Sequence, residues 1–284
     1  MSTYPRTGLQ RILAGSVNPN LRVALYDQDG IAATPTGTLT CTITRADGTV
    51  VATDRATAGT TADRTCALTT AEASTLDVLQ AVWKEDGATR ATTYHRIVGS
   101  YLFPLAALAA RAGVIEDFDR AEMIAVRDRA TDMVESVVGV AFCPSYDLDQ
   151  RHGPGKCEIV THRPLRGIRS MTLDGATIST TSMYLDKAAG IIDARFTVCG
   201  WMTLGVEHGF DAAPTDLVDA AVTYAADSLQ RPLGIVSRRA RTVSDGLGVT
   251  QQFGWAGPGH PTGIDDVDAV LMRYAADYND PPVG

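Results

Sequence analysis

The sequence has no apolar run long enough to cross a membrane. Its best stretch, "VGSYLFPLAALAA", falls short of the ~20 residues a spanning helix needs and is broken by Pro104. The start, "MSTYPRTGLQ", lacks the apolar segment of a secretion signal, which argues for a reducing interior. Cationic residues are in deficit: 25 Lys and Arg stand against 33 Asp and Glu, for a formal net charge of -8. Affinity for nucleic acid comes from clustered cations, so this balance disfavours a general nucleic-acid binder. It suits instead a surface that DNA passes without sticking. Cysteine is sparse, and Cys41, Cys66, Cys143, Cys157 and Cys199 form no CxxC pair. They read as buried small hydrophobes, with a Cys41–Cys66 bridge inside the first domain as the alternative.

Catalytic signatures are missing as well. His95, His152, His162, His208 and His260 include no i, i+4 pair and no HExxH. Metal binding needs three or four convergent ligands, and nothing in this spacing gathers them. The histidines therefore read as surface or strand-face residues. "RHGPGKC" superficially suggests a phosphate loop, but the first required glycine falls on Gln150 and Cys157 replaces the Ser or Thr that would meet Mg²⁺. A turn before a strand is the better reading. "DLDQRHGPGKCE" aligns Asp147, Asp149 and Glu158 with a calcium loop, yet places Arg151 at the fifth position and His152 where a glycine must turn. There is no GxSxG and no local Cys–His signature. The expectation is a non-enzymatic chain without cofactor or metal.

What is present is ordinary globular material: 284 residues, 45% hydrophobic and 20% charged. That length suits two domains, each able to bury a core. Residues 20–100 read as short strands. "LRVALYD" and "TLTCTIT" alternate, "ADGT" supplies a turn, and Trp83 lies inside "VLQAVWKED". Thr69 or Thr70 caps a short helical turn that includes Glu72. The pattern predicts an antiparallel β-sandwich over 1–100, folding independently. It resembles the immunoglobulin-like accessory domains of phage structural proteins.

From Pro104 onward the period changes. Helices are expected near 104–112, 116–138, 215–230 and 265–277, around a β insertion at 156–210. In the second helix Val126, Ala130, Met133, Val134, Val137 and Val138 share one face. Arg127, Asp128, Arg129 and Glu135 are expected opposite, Asp117 or Asp119 at the start, and Gly139 at the end. Thr215 is the expected cap of the third helix. The whole reads as an α+β chain: the sandwich, then 101–284 as a helical bundle with a β insertion and an extended arm at 237–262. That arm concentrates Arg238, Arg239 and Arg241, and carries Phe253 and Trp255 in a Gly/Pro-rich segment. Arg pairs bidentately with carboxylates, and large rings on such an arm suit an interface anchor, so these five are the candidate partner-binding residues.

Three stretches carry a family resemblance. They are "EDFDRAEMIAVRDRATDMVESVVGVAFCP", then "DLVDAAVTYAADSLQRP" with "RRARTVSDG", and "GHPTGIDDVDAVLMRYA", which is similar to a "PTGxxxVDAxLxRY" ending. Over residues 100–278 the chain resembles the head-to-tail adaptor (head-completion or connector) proteins of long-tailed phages of actinobacteria. The resemblance implies a helical bundle with a β insertion and a ring, usually twelve-fold, beneath the portal protein. It implies an arm inserted into the portal assembly and a stopper or tail-terminator protein below. Genomic double-stranded DNA would pass through the lumen, and the protein would reside in the virion neck after assembly in host cytoplasm. Acidic residues of helix 116–138 and of the segment 145–149 are then expected to line the lumen. Two other functions compete: a carbohydrate- or surface-binding accessory protein using the sandwich, with Tyr26, Trp83 and Tyr94 as its available rings, and a hydrolase with a dispersed site.

Overall fold

The computed structural model describes residues 9–113, 119–230, 242–244, 250–252 and 260–279. The chain divides into two compact units, Met1–Tyr101 with Cys143–Asp211, and Leu102–Phe142 with Ala212–Gly284.

The first unit begins with seven strands: β1 (Gln10–Leu13), β2 (Asn20–Ala24), β3 (Leu39–Arg45), β4 (Val50–Ala56), β5 (Asp63–Ala67), β6 (Asp77–Glu85) and β7 (Ala88–Val98). They form a sheet of order β1-β7-β6-β3-β4 and a second, two-stranded sheet β2-β5. This is the expected β-sandwich, antiparallel except that β1 pairs with β7 in parallel. Alternation in β2 and β3 points Leu21, Val23, Leu39, Cys41 and Ile43 inward, where they meet Cys66, Leu79, Ala81, Trp83 and Ile97. Trp83 is fully buried, and its Nε1–H donates to Thr93 Oγ1 at 2.9 Å. Cys41 and Cys66 are both buried free thiols. Hydrogen bonding to Cys66 and burial raise the Cys41 pKa, which keeps it a neutral thiol. The turn at Thr69 is a reciprocal cap: Thr69 N–H donates to Glu72 Oε2 at 2.8 Å, and Glu72 N–H to Thr69 Oγ1 at 3.2 Å.

Seven more strands follow once the chain has left and re-entered this unit: β8 (Ser145–His152), β9 (Lys156–Val160), β10 (Leu165–Leu173), β11 (Ala176–Thr177), β12 (Tyr184–Asp186), β13 (Ile191–Val198) and β14 (Trp201–His208). Two sheets, β11-β10-β14-β8 and β12-β13-β9, enclose a core of Ile159, Met171, Ile192, Val198, Met202, Leu204 and Val206. The β region thus starts at 145 rather than 156. It also groups with the sandwich rather than with the helices, so the division differs from a split at residue 100. The reason is local. Tyr146 and Leu148 of β8 pack on Ala46 and Val78 of the sandwich. Arg96 of β7 pairs with Asp147 at 3.2 Å, and Gly99 N–H donates to the Pro144 carbonyl at 2.8 Å. "RHGPGK" forms the turn between β8 and β9, as its glycines suggest.

The second unit holds α1 (Leu105–Ala112), α2 (Arg120–Val138), α3 (Thr215–Gln230) and α4 (Asp265–Asn279). Helices α2 and α3 pack on each other, and α1 and α4 each pack on both. Asp119 accepts from Ala121 N–H at 3.2 Å to cap α2, and Gly139 closes it in the left-handed region. Helix α3 begins at Thr215 itself, with Pro214 accepting from Val218 N–H. Val126, Ala130, Val134 and Val138 are buried as their spacing predicts. Arg127 and Asp128 are buried too, against the expected polar face, and their side chains bond each other at 3.0 Å. The arm 237–262 is described at Thr242–Ser244 (β15) and Thr250–Gln252 (β16), an antiparallel pair, and from His260.

Candidate functional site

Arg238, Arg239, Arg241, Phe253 and Trp255 lie outside the described residues. The segment that follows them, "PTGIDDVDAVLMRY", is described. Asp268 in the first turn of α4 is 2% exposed and collects the preceding loop. Its Oδ1 accepts from Thr262 N–H at 2.9 Å and Thr262 Oγ1–H at 2.6 Å, and its Oδ2 from Gly263 N–H at 3.1 Å. Gly263 sits at φ +75°, where a side chain would be strained. Apolar positions of the same stretch, Val267 and Leu271, are buried.

The end of the stretch reaches α3. Arg273 Nη2 bonds Asp216 Oδ2, and Tyr274 O–H donates to Asp216 Oδ1 at 2.8 Å. Hydrogen bonding from Tyr274, from Leu217 N–H and from Arg273 lowers the Asp216 pKa against the opposing effect of burial. The Tyr274 ring also meets Phe142 edge-on at 6.3 Å. Seven of the motif's nine fixed positions therefore have a physical task, and Pro261 and Ala269 have none among the contacts above. Thr262, Gly263 and Asp268 shape the entry to α4, while Arg273 and Tyr274 tie it to the start of α3.

A second polar cluster lies in the first unit. Asp147 Oδ2 stands 3.1 Å from His208 Nε2 and 3.5 Å from His162 Nε2, while Asp147 Oδ1 accepts from Arg96 Nη2 at 3.2 Å. The two imidazoles stack at 4.5 Å between centroids, with 25° between planes. Burial would raise the Asp147 pKa, but the His208 hydrogen bond and the Arg96 charge hold it well below the usual carboxylate range. Sequence reasoning treated these histidines as separate because positions 147, 162 and 208 carry no ligand spacing. Only the pairing of β8 with β14 and the return of the chain after β9 bring them together.

The placement of acids also corrects the expected lumen lining. Asp128, Asp132 and Asp147 are buried, at 5%, 8% and 4% exposure, so none of them faces a channel. The segment 145–149 is part of strand β8 and its Tyr146 and Leu148 serve packing. Glu122 of α2 and Asp119 remain exposed.

No protein-family model matches the chain, and no curated protein matches it. Two solved structures share part of its course. One, from the neck of an empty gene transfer agent particle computed with C6 symmetry, is 12% identical and has a TM-score of 0.43, over 61% of this chain and 88% of its own. Another, from the virion of a native gene transfer agent particle, is 14% identical with a TM-score of 0.42, over 61% and 89%. Likenesses of this strength leave fold and function to be argued from the chain itself.

Proposed function

We propose that the chain is a structural, non-enzymatic protein of a virion neck. In this reading it closes into a ring between the portal protein and the next neck protein, and double-stranded DNA passes through the ring. The observation that carries the proposal is the C-terminal motif. In that ending Thr262, Gly263, Asp268, Arg273 and Tyr274 each hold α4 in place. A motif most of whose positions bear structural tasks is a better guide than shared composition. The net charge of -8 fits a conduit that does not bind DNA. A head-to-tail subunit contact closes into a ring when the rotation fits, and the likenesses above are to proteins of neck and virion assemblies.

The arm supplies the contact in this reading. Arg238, Arg239 and Arg241 pair with carboxylates of a neighbour or of the portal, and Phe253 and Trp255 fill apolar pockets. The test is co-sedimentation of purified chain with isolated portal rings. Wild type is expected to co-sediment, and the double substitution Phe253→Ala/Trp255→Ala to stay in the supernatant with its melting temperature unchanged. Wild type that never co-sediments, or a variant that melts early yet still binds, contradicts the proposal. The sugar-binding alternative loses its best platform, because Trp83 is fully buried.

A further inference from the structure

We propose that Asp147, His162 and His208 form a binding site for a divalent transition-metal ion of the zinc class. Their ligand atoms, one carboxylate oxygen and two imidazole nitrogens, all lie within 4.8 Å of one another. Two of the three separations, 3.1 and 3.5 Å, bracket the edge of about 3.3 Å expected for a tetrahedron with bonds of about 2.0–2.1 Å. Two nitrogens and one oxygen suit zinc, cobalt or nickel, whereas magnesium and calcium require mostly oxygen.

The surroundings support the set. Arg96 holds Asp147 Oδ1, which orients the carboxylate and leaves Oδ2 facing the imidazoles. Asp147 and His208 are buried at 4% and 3%, while the His162 side chain is 24% exposed, so the cluster has one open side. Through that side an ion reaches the ligands, and a water completes the fourth position. The chain also fixes where His162 stands. Thr161 N–H donates to the Gly190 carbonyl at 2.8 Å, and Gly209 N–H donates to the Pro164 carbonyl at 2.9 Å.

Binding requires two adjustments. The stacked rings do not share an in-plane point, so the more exposed His162 ring must turn. The proton that His208 Nε2 shares with Asp147 must move to Nδ1 or leave. His208 Nδ1 is buried without a hydrogen-bond partner, so moving the proton there breaks no existing bond at that atom. The bound ion would join β8, the segment after β9 and the end of β14, and act structurally.

The test uses the full chain, stripped with a chelator and titrated with Co²⁺ and Zn²⁺. One equivalent of Co²⁺ is expected to give the visible absorption of a four- or five-coordinate site, displaced by Zn²⁺ and not by Mg²⁺. Zn²⁺ is expected to raise the melting temperature of wild type. His162→Ala and the larger His162→Gln, both at the more exposed ligand, are expected to weaken binding by about 100-fold or more, since even outer-shell substitutions cost about 10–100-fold. Wild type without a Co²⁺ band, or equal binding by wild type and both folded variants, overturns the proposal.

Discussion

Single residues set the pH response. His95 in β7 is fully buried, and its Nε2 meets Thr93 Oγ1 at 2.9 Å. Burial pushes its pKa down from 6.5 to about 3. Between those values the unfolded chain binds a proton that the folded chain refuses, so stability is full above pH 6.5 and falls as pH drops toward 3. The slope from this group approaches ~1.4 kcal/mol per pH unit. Urea midpoints of wild type and His95→Gln measured from pH 7 to pH 4 are expected to converge, because the variant lacks this loss. Glu72 acts lower. Its bond to Arg55 and its cap on Thr69 hold its pKa at about 2, so its contribution is present above pH 4.5 and disappears as pH falls through 2. At Asp268 the expected effect is on stability at neutral pH. Asp268→Ala strands Thr262 and Gly263 donors in a buried loop and is expected to cost about 2–4 kcal/mol by urea denaturation. Gly263→Ala, at φ +75°, is expected to cost about 1 kcal/mol in the same assay. Asp216→Ala, at the exposed tie to Arg273, is expected to shift the midpoint only slightly, and less in high salt.

At the scale of elements, the periodic segments were legible and the polar-rich ones were not. Helices α1 to α4 lie within a few residues of where apolar spacing and the Gly139 stop predict them. The Thr69–Glu72 cap was readable because its chemistry is local. Strand β8 was missed at its start because "SYDLD" offers two acids among five residues and reads as a loop. Its signal was the alternation of Tyr146 and Leu148 with Asp147 and Asp149. The burial of Arg127 and Asp128 had no sequence signal, since a charged pair on a helix normally faces water. The cluster of Asp147, His162 and His208 depends on strand pairing across 61 residues, which no linear spacing reports. β8 is also the element where a substitution is most informative. Leu148→Ala, which opens a cavity against Ala46 and Val78, is expected to cost about 2–4 kcal/mol and to leave helical circular dichroism unchanged on thermal scanning of the folded state.

For the whole molecule, the grouping of 143–211 with the sandwich changes what truncation should do. Deleting residues 1–101 removes Val78 and Ala46 from Tyr146 and Leu148, and leaves Asp147 without Arg96. A carboxylate that keeps His208 and His162 but loses its arginine, and above all a bared apolar face, are expected to make the shortened chain bind hydrophobic dye and aggregate, rather than assemble normally. A shortened chain that stays monodisperse and melts cooperatively would place the stability of 143–211 elsewhere. The central claim, a neck ring, is tested most directly by native mass spectrometry of the full chain incubated with portal rings. The account predicts a discrete complex in which the mass gained is an integer set of 284-residue chains with cyclic closure, twelve on a twelve-fold portal. A chain that remains monomeric at every concentration and adds no mass to the portal contradicts it.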